Sequence, residues 1–160
     1  MTNSDAQLEA CYRQHFALIR AKCRRMLDDP EEARDVAQET FIRLWQKPDL
    51  FAAPVPMRVA WMYRTCMHLA IDRIRRAKTR VALSPAVPED FAEPDTILEQ
   101  RRLLKEVSAK LTDEELEVMI LSRIDGLTQV EVAQVTQSSE RTVRRVLARV
   151  DSRLEELAHV

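Results

Sequence analysis

The chain has 160 residues and a formal net charge of −1; 46% of its residues are hydrophobic, 5% are aromatic and one is glycine. So little glycine excludes a fold built on tight hairpins or phosphate-cradling loops. No apolar run approaches the roughly 20 residues of a membrane span, and the polar N-terminus does not resemble a signal peptide. We therefore expect an all-α, cytoplasmic protein without membrane insertion.

Charge is segregated along the chain. Residues 1–80 carry 15 Lys+Arg against 10 Asp+Glu, residues 81–100 carry 0 against 5, and residues 101–160 carry 10 against 11. Three prolines interrupt the middle block, which lacks helical periodicity. We predict a helical domain over 1–80, an acidic flexible linker over 81–100 and a second helical domain over 101–160.

The three cysteines, Cys11, Cys23 and Cys66, do not follow the spacing of a zinc site, even with His15 between the first two. Free thiols are typical of a reducing compartment. We expect buried thiols, no metal site and no cofactor.

After a first predicted helix over about residues 5–27, the segment DDPEEARDVAQETFIRLW (28–45) predicts a second. Asp29 can cap free N–H groups, and Pro30 suits the first helical position. The segment contains two stripes of residues, each of which recurs at helical spacing. The stripe expected to be buried holds Ala33, Ala37, Phe41 and Leu44. The other, which is either a solvated surface or a docking surface, holds Asp35, Gln38, Glu39 and Ile42.

A break at KPDLFAAPVP precedes a long helix predicted over about residues 57–78. The stripe of this helix expected to be buried holds Val59, Tyr63, Cys66, Ala70, Ile74 and Ala77. The opposite stripe is largely basic and contains Arg58, Trp61, Thr65, His68, Asp72, Arg75 and Arg76. Trp61 either packs against a neighbouring helix or stacks on an unpaired base while nearby arginines follow the phosphate backbone.

Two capping boxes mark helix starts in the C-terminal part. Thr112 and Thr128 each precede a glutamate, Glu115 or Glu131, by three residues. The first of these helices is predicted to end at Gly126, where glycine can adopt the left-handed conformation. The second is predicted to be short, over about residues 128–135.

Ser138 or Ser139 can cap a last helix, whose predicted core stripe is Val143, Val146, Leu147, Val150 and Leu154. Outside this stripe lie Arg141, Arg144, Arg145, Arg149 and Arg153. A short helix, a turn and a basic amphipathic helix predict a helix-turn-helix that places the start of its last helix in the major groove of DNA. The alternative is a solvated arginine surface with ion pairs such as Glu140 to Arg144.

Three segments in order resemble bacterial RNA polymerase sigma factors of the sigma-70 family, in the extracytoplasmic-function group. ARDVAQETFIRLW resembles the core-binding helix of that family and AWMYRTCMHLAIDRIRRAK its promoter-melting helix. IDGLTQVEVAQ and SSERTVRRVLARV resemble its C-terminal helix-turn-helix, and the acidic linker fits its connector. The resemblance covers nearly the whole chain and implies a non-enzymatic promoter-specificity subunit. Its implied partners are core polymerase (the β′ coiled coil and β), promoter DNA and an anti-sigma regulator.

The resemblance also assigns residues to these partners. The core-binding residues would be Asp35, Gln38, Glu39 and Ile42. The minus-ten residues would be Arg58, Trp61, Arg64, Thr65, His68, Arg73, Arg75, Arg76 and Lys78. The minus-35 residues would be Ser139, Glu140, Arg141, Thr142, Arg144, Arg145 and Arg149.

The chain departs from the family pattern at three positions. His68 stands where asparagine is common, and Gln137 and Ser138 replace the turn glycine and the following apolar residue. These two substitutions predict a looser turn. The stretch ILSRIDGLTQVEVAQ is most similar to sigma factors that serve iron uptake.

Two other functions are compatible with the residue patterns alone. One is a stand-alone helix-turn-helix regulator that binds duplex DNA without polymerase. The other is a helical adaptor that binds only protein through the Asp35 stripe.

Overall fold

The computed structural model describes residues 3–79 and 94–159, and in this part of the chain it contains α-helices, one π-helical turn and no strand. The helices are α1 (Asn3–Met26), α2 (Pro30–Trp45), α3 (Asp49–Ala52), α4 (Val55–Thr79), α5 (Asp95–Val107), α6 (Asp113–Met119), α7 (Gln129–Thr136) and α8 (Glu140–Ala158). The π-helical turn, Ile120–Ile124, follows α6 directly. The all-α prediction is confirmed. Each described helix is too short or too polar to cross a membrane.

The chain forms two compact units, Met1–Ala70 and Ile71–Val160, so the division falls inside α4. Most of the predicted linker, residues 81–93, lies outside the described residues. The last part of the predicted linker is helical: α5 begins at Asp95, whereas the sequence pattern predicts a linker as far as residue 100 and no further helix start before Thr112. The Pro94 carbonyl accepts the first hydrogen bond of this helix, from the Ile97 N–H at 3.0 Å, and Asp95 lies where the helix dipole favours a negative charge.

In the first unit, α2 packs against α1 through its apolar stripe. The predicted members of this stripe, Ala33, Ala37, Phe41 and Leu44, are all buried. The Phe41 ring lies 5.0 Å from the Tyr12 ring and 6.0 Å from the Phe16 ring, measured between centroids. Asp29 caps the helix by accepting a hydrogen bond from the Glu31 N–H at 2.9 Å, as predicted.

Helix α4 also packs against α1 in the first unit, with Cys11 Sγ 3.9 Å from Met62 Sδ. The fully buried Lys22 places its Nζ 4.4 Å from the centroid of the Tyr63 ring, a cation–π contact. The prediction of the buried stripe of α4 is only partly right. Cys66, Ala70 and Ile74 are buried as predicted, Ala77 is exposed, and Met62, Met67 and Ile71 are buried in addition.

In the second unit, α6 and α7 pack against α8. The contact surface of α8 holds Val143, Val146 and Val150, which have no exposed surface. The π-helical turn widens the end of α6, with the Asp125 N–H donating to the Ile120 carbonyl at 2.9 Å. Gly126 then reverses the chain at φ +73°, a conformation that favours glycine, as the sequence predicts.

Both predicted capping boxes are present, but their surroundings differ. Glu115 is 1% exposed; its Oε2 accepts from the Thr112 N–H at 3.0 Å and its Oε1 accepts from Arg153 Nε at 3.0 Å. Glu131 Oε1 accepts from the Thr128 N–H at 3.1 Å, but this side chain is exposed. Glu115 therefore joins the start of α6 to the end of α8, whereas Glu131 acts only within α7.

We expect Glu115→Ala to lower the free energy of unfolding by about 2–3 kcal/mol, because it removes a cap and a buried acceptor of an arginine. The same change in the exposed box, Glu131→Ala, should cost about 1 kcal/mol or less. Urea denaturation of both variants and the wild type measures the difference. Equal losses would contradict the structural role of the Arg153 contact.

Candidate protein and nucleic-acid interfaces

The second stripe of α2 faces solvent, opposite the residues packed on α1. Asp35 is exposed, Ile42 is 50% exposed, and Gln38 and Glu39 are partly exposed. Glu39 Oε1 accepts from Arg43 Nε at 3.4 Å, an exposed pair one helical turn apart and therefore weak. The structure thus brings all four predicted core-binding residues to one accessible surface.

The outer surface of α4 carries most of the predicted minus-ten residues. Trp61, Arg64, Thr65 and Arg73 are partly exposed, and His68 and Arg76 are exposed. The side chain of Lys78 lies outside the described residues. This surface combines cations with one aromatic ring, the composition used to hold single strands.

Arg58, one of the predicted minus-ten residues, makes two contacts within the protein. Its Nη1 donates to the Leu50 carbonyl at 3.5 Å, and its guanidinium carbon lies 5.3 Å from the centroid of the Phe51 ring. Both Arg58 Nε and His15 Nε2 are buried and make no hydrogen bond within the described residues. Burial lowers the pKa of His15, and the positive charge of Arg58 lowers it further. Burial likewise raises the pKa of the Cys11 thiol, although Arg58 opposes that shift.

Arg75 is held inside the second unit. Its Nε donates to the Ser108 carbonyl at 3.2 Å, and its Nη1 donates to Asp113 Oδ1. The guanidinium is therefore partly satisfied by the protein itself. It can contact a phosphate with all its donors only after these bonds are released.

The row of arginines on α8 divides into two groups. Arg141, Arg144 and Arg145 are exposed, and none of the ion pairs within the described residues involves them. Arg149 Nη2 donates to Glu114 Oε2 at 3.1 Å, and Arg153 pairs with Glu115. The first group lies in the first two turns of α8, where the helix-turn-helix prediction places the DNA.

The turn between α7 and α8 contains hydrogen bonds of its own, and the looser turn that its sequence predicts stays a prediction. Gln137 adopts φ +54°, the left-handed conformation that a glycine would favour. The Ser138 N–H donates to the Ala133 carbonyl at 2.9 Å, and the Thr136 and Ser138 hydroxyls lie 2.7 Å apart.

Ser139 is the N-cap of α8. Its Oγ accepts from the Thr142 N–H at 3.1 Å and lies 3.0 Å from the Thr142 Oγ1. Ser139 and Thr142, two of the predicted minus-35 residues, therefore cap the first turn of α8.

Trp45, at the end of α2, is 57% exposed and is not among the predicted site residues. Helical spacing could have found it, because Trp45 follows Ile42 by three residues and Gln38 by seven. For metals, the described residues contain no cluster of three or more histidine, cysteine, aspartate or glutamate side chains suited to a metal ion.

Family profiles match both parts of the chain: Sigma-70 region 2 over residues 11–80 and Sigma-70, region 4 over residues 101–150. The chain belongs to the sigma-70 family of RNA polymerase sigma factors. Its relatives place it in the extracytoplasmic-function group of that family. It is a sigma factor that binds core RNA polymerase and directs promoter-specific transcription initiation.

Several relatives support this placement. The ECF RNA polymerase sigma factor SigW of Bacillus subtilis (strain 168) is 29% identical over 140 residues, covering 76% of this chain and 73% of the relative. SigL of Mycobacterium tuberculosis is 28% identical over 87% of this chain and 81% of the relative. The ferric citrate uptake sigma factor FecI of Escherichia coli (strain K12) is 26% identical over 92% of this chain and 88% of the relative.

The fold is also similar to that of a solved structure, CnrH in complex with the cytosolic domain of CnrY. The TM-score is 0.58 at 22% identity, with 97% of this chain and 89% of that chain covered.

The surroundings of His15 make stability depend on pH. Above the unfolded pKa of about 6.5, His15 is neutral in both states. As the pH falls from about 7.5 to about 5.5, the unfolded chain takes up this proton first, because the folded pKa is lowered, and stability is lost. His15→Gln should reduce this loss, as measured by melting temperature against pH. The same slope in the wild type and in His15→Gln would contradict the effect of burial at His15.

Proposed function

We propose that the exposed stripe of α2 docks the β′ coiled coil of core polymerase. The observation that carries the proposal is the placement of Asp35, Gln38, Glu39 and Ile42 on one accessible side of a helix whose other side is buried. Carboxylates that meet basic groups supply orientation and specificity more than affinity. Contacts between the rest of the chain and the β subunit of the polymerase would complete the docking.

The outer surface of α4 then binds the separated strand of the minus-ten element. Trp61 stacks on a base, Arg64, Thr65 and His68 line the strand, and Arg73 and Arg76 contact the backbone. Arg58 contributes chiefly by fixing α3 to α4, given its contacts with Leu50 and Phe51.

The start of α8 reads the minus-35 duplex. Arg141, Arg144 and Arg145 supply exposed donors for guanine edges and phosphates, and Glu140 supplies an acceptor. Ser139 and Thr142 fix the helix start, and Arg149 stabilises the packing of α8 on α6.

Neither DNA contact needs to be strong alone, because both are carried by one polymerase. The second contact forms at the effective concentration set by the first. The chain acts as a specificity subunit without catalysis of its own, and the polymerase performs nucleotide addition. It works in the cytoplasm, where genomic promoters are accessible.

A regulatory partner is part of the proposal. CnrH, whose fold is similar, is found with the cytosolic domain of CnrY. By analogy, an anti-sigma protein holds this chain inactive until a signal releases it. The similarity to FecI supports a role in iron uptake.

Transcription with core polymerase on a promoter library tests the docking surface. The double change Asp35→Arg/Glu39→Arg should reduce initiation at least tenfold, because like charges then face each other across the interface. Glu31→Arg/Glu32→Arg, a matched reversal at the start of α2, should retain most activity. If the wild type never directs initiation, the chain does not act as proposed; activity in the Asp35/Glu39 variant would show only that the docking surface lies elsewhere.

The two groups of α8 arginines should behave differently. Arg144→Ala should weaken minus-35 binding and lower the slope of log affinity against log salt by about one, because one phosphate or base contact is lost. Arg149→Ala should leave that slope unchanged and lower the melting temperature slightly, because it removes the pair with Glu114. Binding of holoenzyme to a promoter fragment at several salt concentrations measures both effects. A change of slope for Arg149→Ala alone would contradict this assignment.

A further inference from the structure

Gln137 combines a strained backbone with an exposed side chain. Among the described residues it is the one residue other than glycine with a positive φ, at φ +54° and ψ +42°. A Cβ makes this left-handed conformation costly, whereas a glycine adopts it without that cost. The end of α7 imposes it, because the Ser138 N–H donates to the Ala133 carbonyl at 2.9 Å, the bond by which a left-handed residue closes a helix. Strain of this kind occurs most often at functional sites.

The other polar side chains of this turn are already used within the protein. Thr136 Oγ1 donates to a backbone carbonyl of α7 at 2.8 Å and lies 2.7 Å from Ser138 Oγ. Ser139 Oγ accepts from the Thr142 N–H and caps α8. The Gln137 side chain is exposed, and its amide makes no hydrogen bond with the described residues. Of the three residues between α7 and α8, Gln137 is therefore the one whose side chain is available to a ligand.

The helix-turn-helix geometry places this amide at the rim of the DNA groove. In such a motif the first residues of the second helix contact base edges inside the major groove, whereas the phosphates line its rim. Gln137 lies three residues before Glu140, the first residue of α8, and so precedes the turn of helix that reads the bases. Glutamine is one of the residues that donate hydrogen bonds to phosphate oxygens.

We propose that Gln137 Nε2 donates a hydrogen bond to a phosphate oxygen at the edge of the minus-35 element. The inference rests on the proposed function of α8. The contact is neutral, so it adds affinity without releasing a counterion, and it reads no base. The family pattern has a glycine in this turn, which cannot make the contact. The binding energy offsets the strain that the glutamine introduces.

Gln137→Gly tests the proposal, because stability and binding should change in opposite directions. The melting temperature should rise by a few degrees as the strain is removed. Binding of the holoenzyme to a promoter fragment should weaken about fivefold to tenfold, because a hydrogen bond to a charged group is lost. Gln137→Ala also lacks the amide but keeps the strain, so it should bind equally weakly without the rise in melting temperature. Gln100→Ala, which removes the same amide from α5, should match the wild type in binding.

Salt dependence distinguishes this contact from those of the arginines. Gln137→Gly should keep the slope of log affinity against log salt of the wild type, because no cation is lost. Gln137→Lys places a cation at the same phosphate, so it should restore binding and make the slope steeper by about one. A shallower slope for Gln137→Gly would contradict a neutral contact.

Neutral methylphosphonates, introduced one at a time around the minus-35 element, locate the phosphate. At the contacted position the wild type should lose about fivefold to tenfold more affinity than Gln137→Gly does, which is the coupling expected of two groups in contact. At the other positions both proteins should lose the same. Equal losses at every position would overturn the assignment to phosphate, as would a loss in Gln137→Gly that depends on the identity of one base pair.

The results separate failure of this inference from failure of the proposed function. If Arg144→Ala weakens promoter binding while Gln137→Gly and Gln137→Ala bind as the wild type does, the contact of Gln137 is wrong and the role of α8 stands. If holoenzyme formed with the wild type ignores the minus-35 sequence, the proposed function of α8 itself is lost. A melting temperature of Gln137→Gly below that of the wild type would contradict the strain from which the inference starts.

Discussion

The apolar stripe of α2, buried against α1, sets the direction of every side chain that this helix exposes to solvent, including the four residues proposed to contact polymerase. Ala33, Ala37 and Leu44 have no exposed surface, so the helix cannot rotate about its axis without opening the first unit. Asp35 and Ile42 are held outward by the same packing. One helical register therefore fixes both the buried surface of α2 and its exposed surface.

The same constraint governs α8, with ion pairs added to it. Val143, Val146 and Val150 fix its inner side, and Glu114 and Glu115 hold arginines further along the helix. The carboxylates of α6 therefore reduce the number of arginines free for DNA. They leave those free arginines at the helix start, where a helix-turn-helix enters the groove.

Local signals predicted much of this structure. The caps at Asp29, Thr112 and Thr128 depend on residues within one turn, and all three occupy the predicted places. The reversal of the chain at Gly126, after α6 and its π-helical turn, is predicted from the sequence for the same reason.

The errors have a tertiary origin or concern short elements. The one-turn helix α3 carries too few residues for a periodic pattern. The 13-residue helix α5 is missed for a different reason, because its first turns fall in the acidic block that contains three prolines and is predicted as a linker. In α4 the apolar residues recur on more than one side of the helix, so the sequence pattern alone does not decide which side is buried. Contacts such as Met62 with Cys11, distant in sequence, decide which side is chosen.

Tertiary contacts also explain why the number of DNA contacts cannot be read from the number of arginines in the sequence. Each arginine already held by a protein carboxylate or carbonyl, as Arg75 and Arg149 are, must exchange that partner for a phosphate. The exchange returns little net energy, because one charge-assisted bond replaces another. Arg141, Arg144 and Arg145 make no such exchange. The affinity for promoter DNA should therefore follow the arginines that the fold leaves unpaired, and these are set by where α6 places its carboxylates.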